Sequence, residues 1–289
     1  MKLSTQHFQS RQHMVRGEYE LFHYSDKKMD DVQLHHHDFY EVYLFLSGNV
    51  IYSIEGRTYI LRPNDILLIG PNELHQAVID TALKPYERMV LWINPQFLHQ
   101  LGDELTNLAD CFDPARHHHT NLLRLAPERF QQLKNEFQQL YAETYDKGYG
   151  SSLLCASHIQ RLMVMINRSL LHEVSEDMNE DVITDPFLEP VVTYIAKNLE
   201  SELTLDQIAK QMYLSKFHIM REFKKQTGTT IHHYILQKRL ALSKQLILEG
   251  IPITEVFTRC GFKTYSHFFR AFKTEYEMTP KEFYRWMHG

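Results

Sequence analysis

The sequence predicts an α+β chain: an N-terminal β-barrel, a helical connector and an all-α C-terminal domain. Three observations predict it. From about Glu18 to Asn94, short apolar and aromatic runs alternate with Gly, Pro and Asn turn signals. Beyond Asn94, apolar residues recur at helical spacing. Charge also divides along the chain: residues 186–289 carry 15 Lys/Arg and 10 Asp/Glu, while the remaining 185 carry 16 and 26. A basic segment on an acidic body points to a polyanionic partner for the C-terminal part alone.

The barrel is expected over residues 1–110. Phe39–Leu46 is rich in Tyr, Val and Phe and stops at Ser47-Gly48. Asn49–Ile54 and Arg57–Leu61 flank Glu55-Gly56, a hairpin signal because Gly supplies the positive φ of a tight turn. Pro63-Asn64-Asp65 is a second turn, and Ile66–Ile69 a short buried strand before Gly70-Pro71-Asn72. The connector is expected over 111–172. Pro127–Tyr145 places Phe130, Leu133, Phe137, Leu140 and Tyr141 on one helical stripe. Leu153–His172 does the same with Ile159, Leu162, Met163, Ile166 and Leu170. Apolar surface left over from that helical hairpin predicts a homodimer. Residues 173–185 are acidic and aperiodic and read as a linker, and 186–289 as the helical domain.

The longest apolar runs, such as Ile66–Ile69 and Leu162–Ile166, fall far short of the ~20 residues of a membrane helix, so no membrane partner is expected. The first residues lack the apolar core of a secretory signal. Cys111, Cys155 and Cys260 are odd in number and far apart, which suits free thiols in the cytoplasm.

The segment 204–228 has the punctuation of two short helices meeting at a turn. Thr204 caps a helix holding Ile208, Ala209 and Met212; Tyr213-Leu214 makes the turn; Ser215 caps a second helix with Ile219 and Phe223 inward, closed by Gly228. This is the layout of a helix-turn-helix. About 48 residues later it recurs: Val256 repeats Ile208 and Cys260 repeats Met212. After one extra turn residue, Thr264, His267, Phe268, Arg270, Phe272 and Lys273 repeat Ser215, His218, Ile219, Arg221, Phe223 and Lys224. A helix over about Ile231–Glu249 separates the copies.

On these residues, and above all on 253–273 followed by Met278-Thr-Pro280, the chain resembles the AraC family of bacterial transcription regulators over Leu203–Trp286. Two positions depart from the family pattern: Phe257 stands where Ala is usual, and Glu277 where Gly is usual. The resemblance implies double-stranded DNA as a partner, with Lys216–Gln226 and Tyr265–Lys273 entering successive major-groove faces ~34 Å apart. In the first helix Lys216, Phe217, His218, Met220 and Arg221 face outward. Arg221 suits guanine, and Phe217 or Met220 suits thymine methyls. Tyr265, Ser266, Phe269 and Arg270 are their equivalents, while Lys224, Lys273, Ser215 and Thr264 suit phosphates. Contact with RNA polymerase is a further expectation.

The other dense cluster is His35-His-His37-Asp-Phe-Tyr-Glu41, with His75 downstream. Its His-x-His-x3-Glu spacing resembles the first motif of germin-like cupins, in which three histidines and a glutamate converge on a transition metal. By that likeness His35, His37, Glu41 and His75 are the metal candidates. The AraC resemblance favours a degenerate cupin instead, a metal-free sensor in which His37, Glu41, Tyr43, His75 and Trp92 line a pocket for a small-molecule effector such as a sugar, with Tyr40 and Tyr52 as further wall candidates. No catalytic residue is expected. The rival readings are a metal-dependent cupin enzyme with a helical appendage and a ligand-independent DNA-binding dimer. His117–His119 is left without a role.

Overall fold

The computed structural model describes residues 14–82, 84–113, 120–146, 148–172 and 181–288. His117–His119 and residues 173–180 of the expected linker lie outside them. The chain divides into two compact units, 1–183 and 184–289.

The first unit contains β1 (Tyr19–Asp26), β2 (Val32–His35), β3 (Tyr40–Ser47), β4 (Asn49–Ile54), β5 (Arg57–Ile60), β6 (Ile66–Ile69), β7 (His75–Asp80), β8 (Tyr86–Ile93), α1 (Pro95–Leu101), a 3-10 turn (Leu108–Phe112), β9 (Leu122–Leu123), α2 (Pro127–Asp146) and α3 (Ser151–His172). The strands form two five-stranded sheets, β1-β8-β3-β6-β9 and β10-β5-β4-β7-β2, where β10 is Val182–Thr184. That last strand lies in the segment expected to be linker; three residues are too few to carry a period against an acidic background. The hairpin at Glu55-Gly56 is as expected, with φ of 48° and 80° at its two central positions.

Side chains alternate across a strand, and in the first sheet both faces are buried. Tyr43, Phe45, Leu67, Ile69, Val90 and Trp92 meet Tyr52, Ile54, Tyr59 and Ala77 of the facing sheet. Their neighbours Val42, Leu44, Leu68, Met89, Leu91 and Ile93 pack on α2 and α3 through Phe130, Leu133, Phe137, Leu140, Ile159, Leu162 and Met163. The helical stripes that the sequence offers to a second subunit are therefore consumed by the sheet. Barrel and connector share one core. The apolar side chains that α3 leaves exposed are others: Leu153, Leu154 and Leu171.

The second unit holds α4 (Leu188–Lys197), α5 (Leu205–Met212), α6 (Lys216–Thr227), α7 (Ile231–Leu248), α8 (Ile253–Arg259), α9 (Tyr265–Tyr276) and α10 (Pro280–His288). Thr204 and Gln207 form a reciprocal capping box at the start of α5, with 3.2 Å and 2.7 Å bonds. The turn to α6 puts Tyr213 in the left-handed region at φ 55°. The corresponding position in the second copy is Gly261, φ 75°, where a Cβ would lie 2.4 Å from the Leu199 carbonyl oxygen, so glycine is required there for space as well as torsion. Leu240, Ile247, Val256, Cys260, Phe268, Phe272 and Phe283 make the core of the second copy.

Of the two departures from the family pattern, Phe257 is accommodated edge-on against Tyr265, at 5.8 Å between ring centroids. Glu277 is not relieved: it ends α9 in the left-handed region at φ 57°, a conformation that costs a residue with a Cβ about 1–2 kcal/mol. Glu277→Gly is expected to stabilise the helical unit by about 0.5–1 kcal/mol after glycine's greater unfolded-state entropy is offset, roughly 3–6 °C in a unit of this size. Thermal unfolding followed by circular dichroism checks this, and an unchanged or lowered midpoint contradicts it.

Candidate functional site

Inside the barrel, β3 and β8 place the acid. Glu41 is directly opposite both Trp92 and Ile69 in the sheet register, and cross-strand partners share a face. Trp92 Nε1 accordingly donates to Glu41 Oε2 at 2.7 Å. From the facing sheet comes His75, whose register partners are His35 on β2 and Ile54 on β4. His37 lies in the link between β2 and β3. Asn72 N donates to its carbonyl oxygen at 2.7 Å, and its ring stacks on Phe39 with centroids 3.9 Å apart. His37, Glu41 and His75 are all buried, and their candidate ligand atoms lie within 4.8 Å of one another.

His35 is not in that set. It is half-buried, its ring centroid 4.0 Å from that of His75 and its Nδ1 engaged with the Gln33 carbonyl at 2.9 Å. The four-residue set suggested by spacing is thus three plus a neighbour. β2 ends at His35 and His37 lies past it in the link to β3, so the strand alternation that would make the two equivalent does not reach His37.

Burial disfavours charge on several of the neighbouring side chains. Burial, reinforced by the neighbouring His37 and His35, pushes His75 well below the ordinary imidazole range, and burial likewise lowers His35. Burial raises the Tyr43 and Tyr52 phenols well above theirs, so both are hydroxyl donors; Tyr43 and Tyr86 share a 2.5 Å hydrogen bond. Tyr40 is displaced from the expected wall: it packs on Phe112, 4.4 Å between centroids, on the helix side of the sheet. With 41, 43 and 45 inward, position 40 must face out.

Arg88 is a buried group that sequence reasoning missed. Its Nη1 donates to Asp26 Oδ2 at 2.5 Å and its guanidinium stacks 3.9 Å from the Tyr86 ring. Its signal was its place two residues before Val90 on an inward face.

In the helical unit, α6 and α9 present matched surfaces. Ser215 Oγ accepts from His218 N at 3.2 Å, and Thr264 Oγ1 from His267 N at 3.3 Å. Counting from each cap, the fourth and eighth residues are buried: Ile219 and Phe223 in α6, Phe268 and Phe272 in α9. The first, sixth and ninth are exposed: Lys216, Arg221 and Lys224; Tyr265, Arg270 and Lys273. Phe217, 87% exposed, and Met220 stand out from α6 with no core to serve. His218 is half-buried against Phe187, edge-on at 6.0 Å, and Phe269 half-buried beside Tyr265. Lys216 Nζ is 2.5 Å from Asp206 Oδ1, an exposed pair and so a weak one. Ser266 is exposed, its carbonyl receiving Arg270 Nε at 3.3 Å.

A double sheet with a buried polar cluster, in one chain with two helix-turn-helix units, fits the class of regulator that has a sensing domain and a DNA-binding domain. Residues 19–163, half of the chain, match the sequence profile described as "AraC-like ligand binding domain", and residues 208–285 that of a "Helix-turn-helix domain". The chain belongs to the AraC family of transcription regulators. It is 28% identical over 260 residues to "Probable transcriptional regulator LumQ" of Photobacterium leiognathi, covering 86% of this chain and 90% of that one. It is 25% identical over 254 residues to the HTH-type transcriptional activator RhaS of Salmonella arizonae, covering 86% of each. A crystal structure of apo ToxT from Vibrio cholerae aligns with 93% of this chain and 97% of its own at 16% identity, TM-score 0.40. Among the described residues no helix is long and apolar enough to cross a membrane.

Because Trp92 supplies a buried donor to a buried carboxylate, Trp92→Phe is expected to cost the barrel about 1–3 kcal/mol. The cost should shrink clearly in a Glu41→Met background, where no carboxylate is left unpaired. Urea unfolding of the four proteins of this cycle measures the coupling; strictly additive losses would show that the bond contributes nothing.

Proposed function

We propose that the protein reads double-stranded DNA with α6 and α9, and that a small molecule bound in the barrel sets how well it does so. The observation that carries the reading is the equivalence of the two helices. Each starts at a hydroxyl cap, buries the same two positions and exposes an arginine six residues after the cap and a lysine nine after it. Packing explains the buried positions of such a repeat. It gives no reason for the exposed basic ones to match.

Arg221 and Arg270 are assigned to guanine edges, which a guanidinium fork reads in the major groove. Phe217 and Met220 meet thymine methyls, with Lys216, His218, Tyr265, Ser266 and Phe269 beside them. Ser215, Thr264, Lys224 and Lys273 meet phosphates. The capping hydroxyls accept from the helix backbone and keep an O–H to donate. α7, at 18 residues, is roughly 27 Å long, a length that suits two reading heads about one turn of DNA apart.

In the barrel, His37, Glu41, Tyr43, His75 and Trp92 are assigned to the effector, which acts by binding one state of the protein better than another and so shifting their populations. The chain acts in the cytoplasm as a regulator rather than an enzyme, in contact with RNA polymerase and as a homodimer; the exposed leucines of α3 are its candidate contact.

Arg221→Ala and Arg270→Ala in the full chain should each weaken binding to a preferred duplex by about 1–3 kcal/mol and relax preference at different base positions. Fluorescence anisotropy on a panel of singly substituted duplexes separates the outcomes. A loss that is equal on every sequence would make these arginines phosphate contacts, and no loss would remove them from the interface.

A further inference from the structure

We propose that His37, Glu41 and His75 hold a divalent transition-metal ion in the barrel. The three side chains come from both sheets and the link between β2 and β3, are all buried, and bring their ligand atoms within 4.8 Å of one another. Metal–nitrogen and metal–oxygen bonds of ~2.0–2.2 Å put ligand atoms about 3–3.5 Å apart; His37 Nε2 and Glu41 Oε2 already stand 3.4 Å apart, and the widest separation closes by about an ångström on binding.

The imidazoles are already oriented for it. Nδ1 of His37 lies 3.0 Å from the Phe39 carbonyl oxygen, and Nδ1 of His75 lies 2.8 Å from that of Glu73. A carbonyl only accepts, so Nδ1 carries the proton in each ring and Nε2 is left as a lone pair, the tautomer that a ligating histidine needs. Both Nε2 atoms are buried and find no hydrogen-bond partner among the described residues, an arrangement that native interiors rarely leave uncompensated. The carboxylate is fixed too, by the Trp92 donor to Glu41 Oε2.

A proton is the simpler occupant, and the geometry weighs against it. A second proton on His37 would make it cationic and aim an N–H at Glu41 Oε2, 3.4 Å from Nε2, yet His75 Nε2 would remain unpartnered. One ion satisfies all three groups. Two neutral imidazoles and one carboxylate suit Fe, Co, Ni or Zn rather than Mg or Ca, which favour oxygen donors. A dication with one anionic ligand keeps a net positive charge in an apolar surround, so its remaining positions favour an effector with anionic or chelating oxygens.

The test uses full-length protein stripped with a chelator and titrated with Co(II), then Zn(II), with Mg(II) as control. The expected result is one equivalent of Co(II) bound with a visible ligand-field spectrum, a raised melting temperature with Co(II) and Zn(II), and no effect of Mg(II). Glu41→Gln and His75→Gln should lower Co(II) affinity by about tenfold or more; His35→Ala and the triple change of His117, His118 and His119 to Ala should not. No ligand-field spectrum in the wild type overturns the proposal without reference to any variant, as does loss of binding in the triple variant in place of the barrel variants. The titration involves no DNA, so its failure leaves the assignment of α6 and α9 untouched.

Discussion

The first sheet is buried on both faces, and most of the N-terminal unit follows from that constraint. Strand geometry sends alternate side chains of β3 and β8 in opposite directions. Val42 and Leu44 are thereby committed to the helical layer, and Glu41, Tyr43 and Phe45 to the space between the sheets. A one-residue slip would exchange the two sets, putting a carboxylate among leucines and leucines among the tyrosines. Register is therefore strongly specified, and with it the juxtaposition of Glu41 and Trp92. The acid is placed by the same packing that holds α2 and α3 to the sheet. Arg124 adds a polar tie at the rim, its guanidinium donating to Asp65 at 2.8 Å and to Asp181 at 2.5 Å, which fastens the start of β10 to the barrel.

The helical unit is governed by termini rather than by a sheet. Hydroxyl caps at Thr204, Ser215, Thr230 and Thr264 set where its helices begin, each satisfying a backbone donor that a helix N-terminus leaves over. Fixing the cap fixes the rotation of the helix that follows, because 3.6 residues per turn then decides which positions meet the core. That is why the two segments bury and expose the same positions counted from their caps, whereas the arginine and lysine that fill the exposed ones are not dictated by packing. The second copy tolerates a longer turn because Gly261 allows the chain to pass against the Leu199 carbonyl, a contact reinforced by Arg239, whose Nε donates to the same oxygen at 3.1 Å.

Legibility in the sequence followed the strength of local signals. The caps, the stripes of α2 and α3, the Glu55-Gly56 hairpin and both helix-turn-helix units were readable, since each rests on periodicity or on a residue with one favoured backbone role. β9 and β10 were not, being two and three residues long and stabilised by neighbours distant in sequence. In the barrel, residue spacing singled out His35, His37, Glu41 and His75 but could not separate His35 from His37, because β2 ends at His35 and His37 lies beyond it, in a link that no strand period describes. Tyr40 was misjudged for want of a phase for β3, which only the pairing with β8 supplies. By residue type alone Arg88 resembles a surface charge. Only the fold shows Asp26 and the Tyr86 ring waiting for it.

What unites these observations is the claim that the helical unit reads DNA at two places through two equivalent helices. Selection of bound sites from random duplexes by the full chain tests it most directly. The account predicts two information-rich blocks centred about 10–10.5 base pairs apart, the spacing of two reading heads on one face of the duplex. Enrichment of a single block, or of no sequence at all, would contradict it.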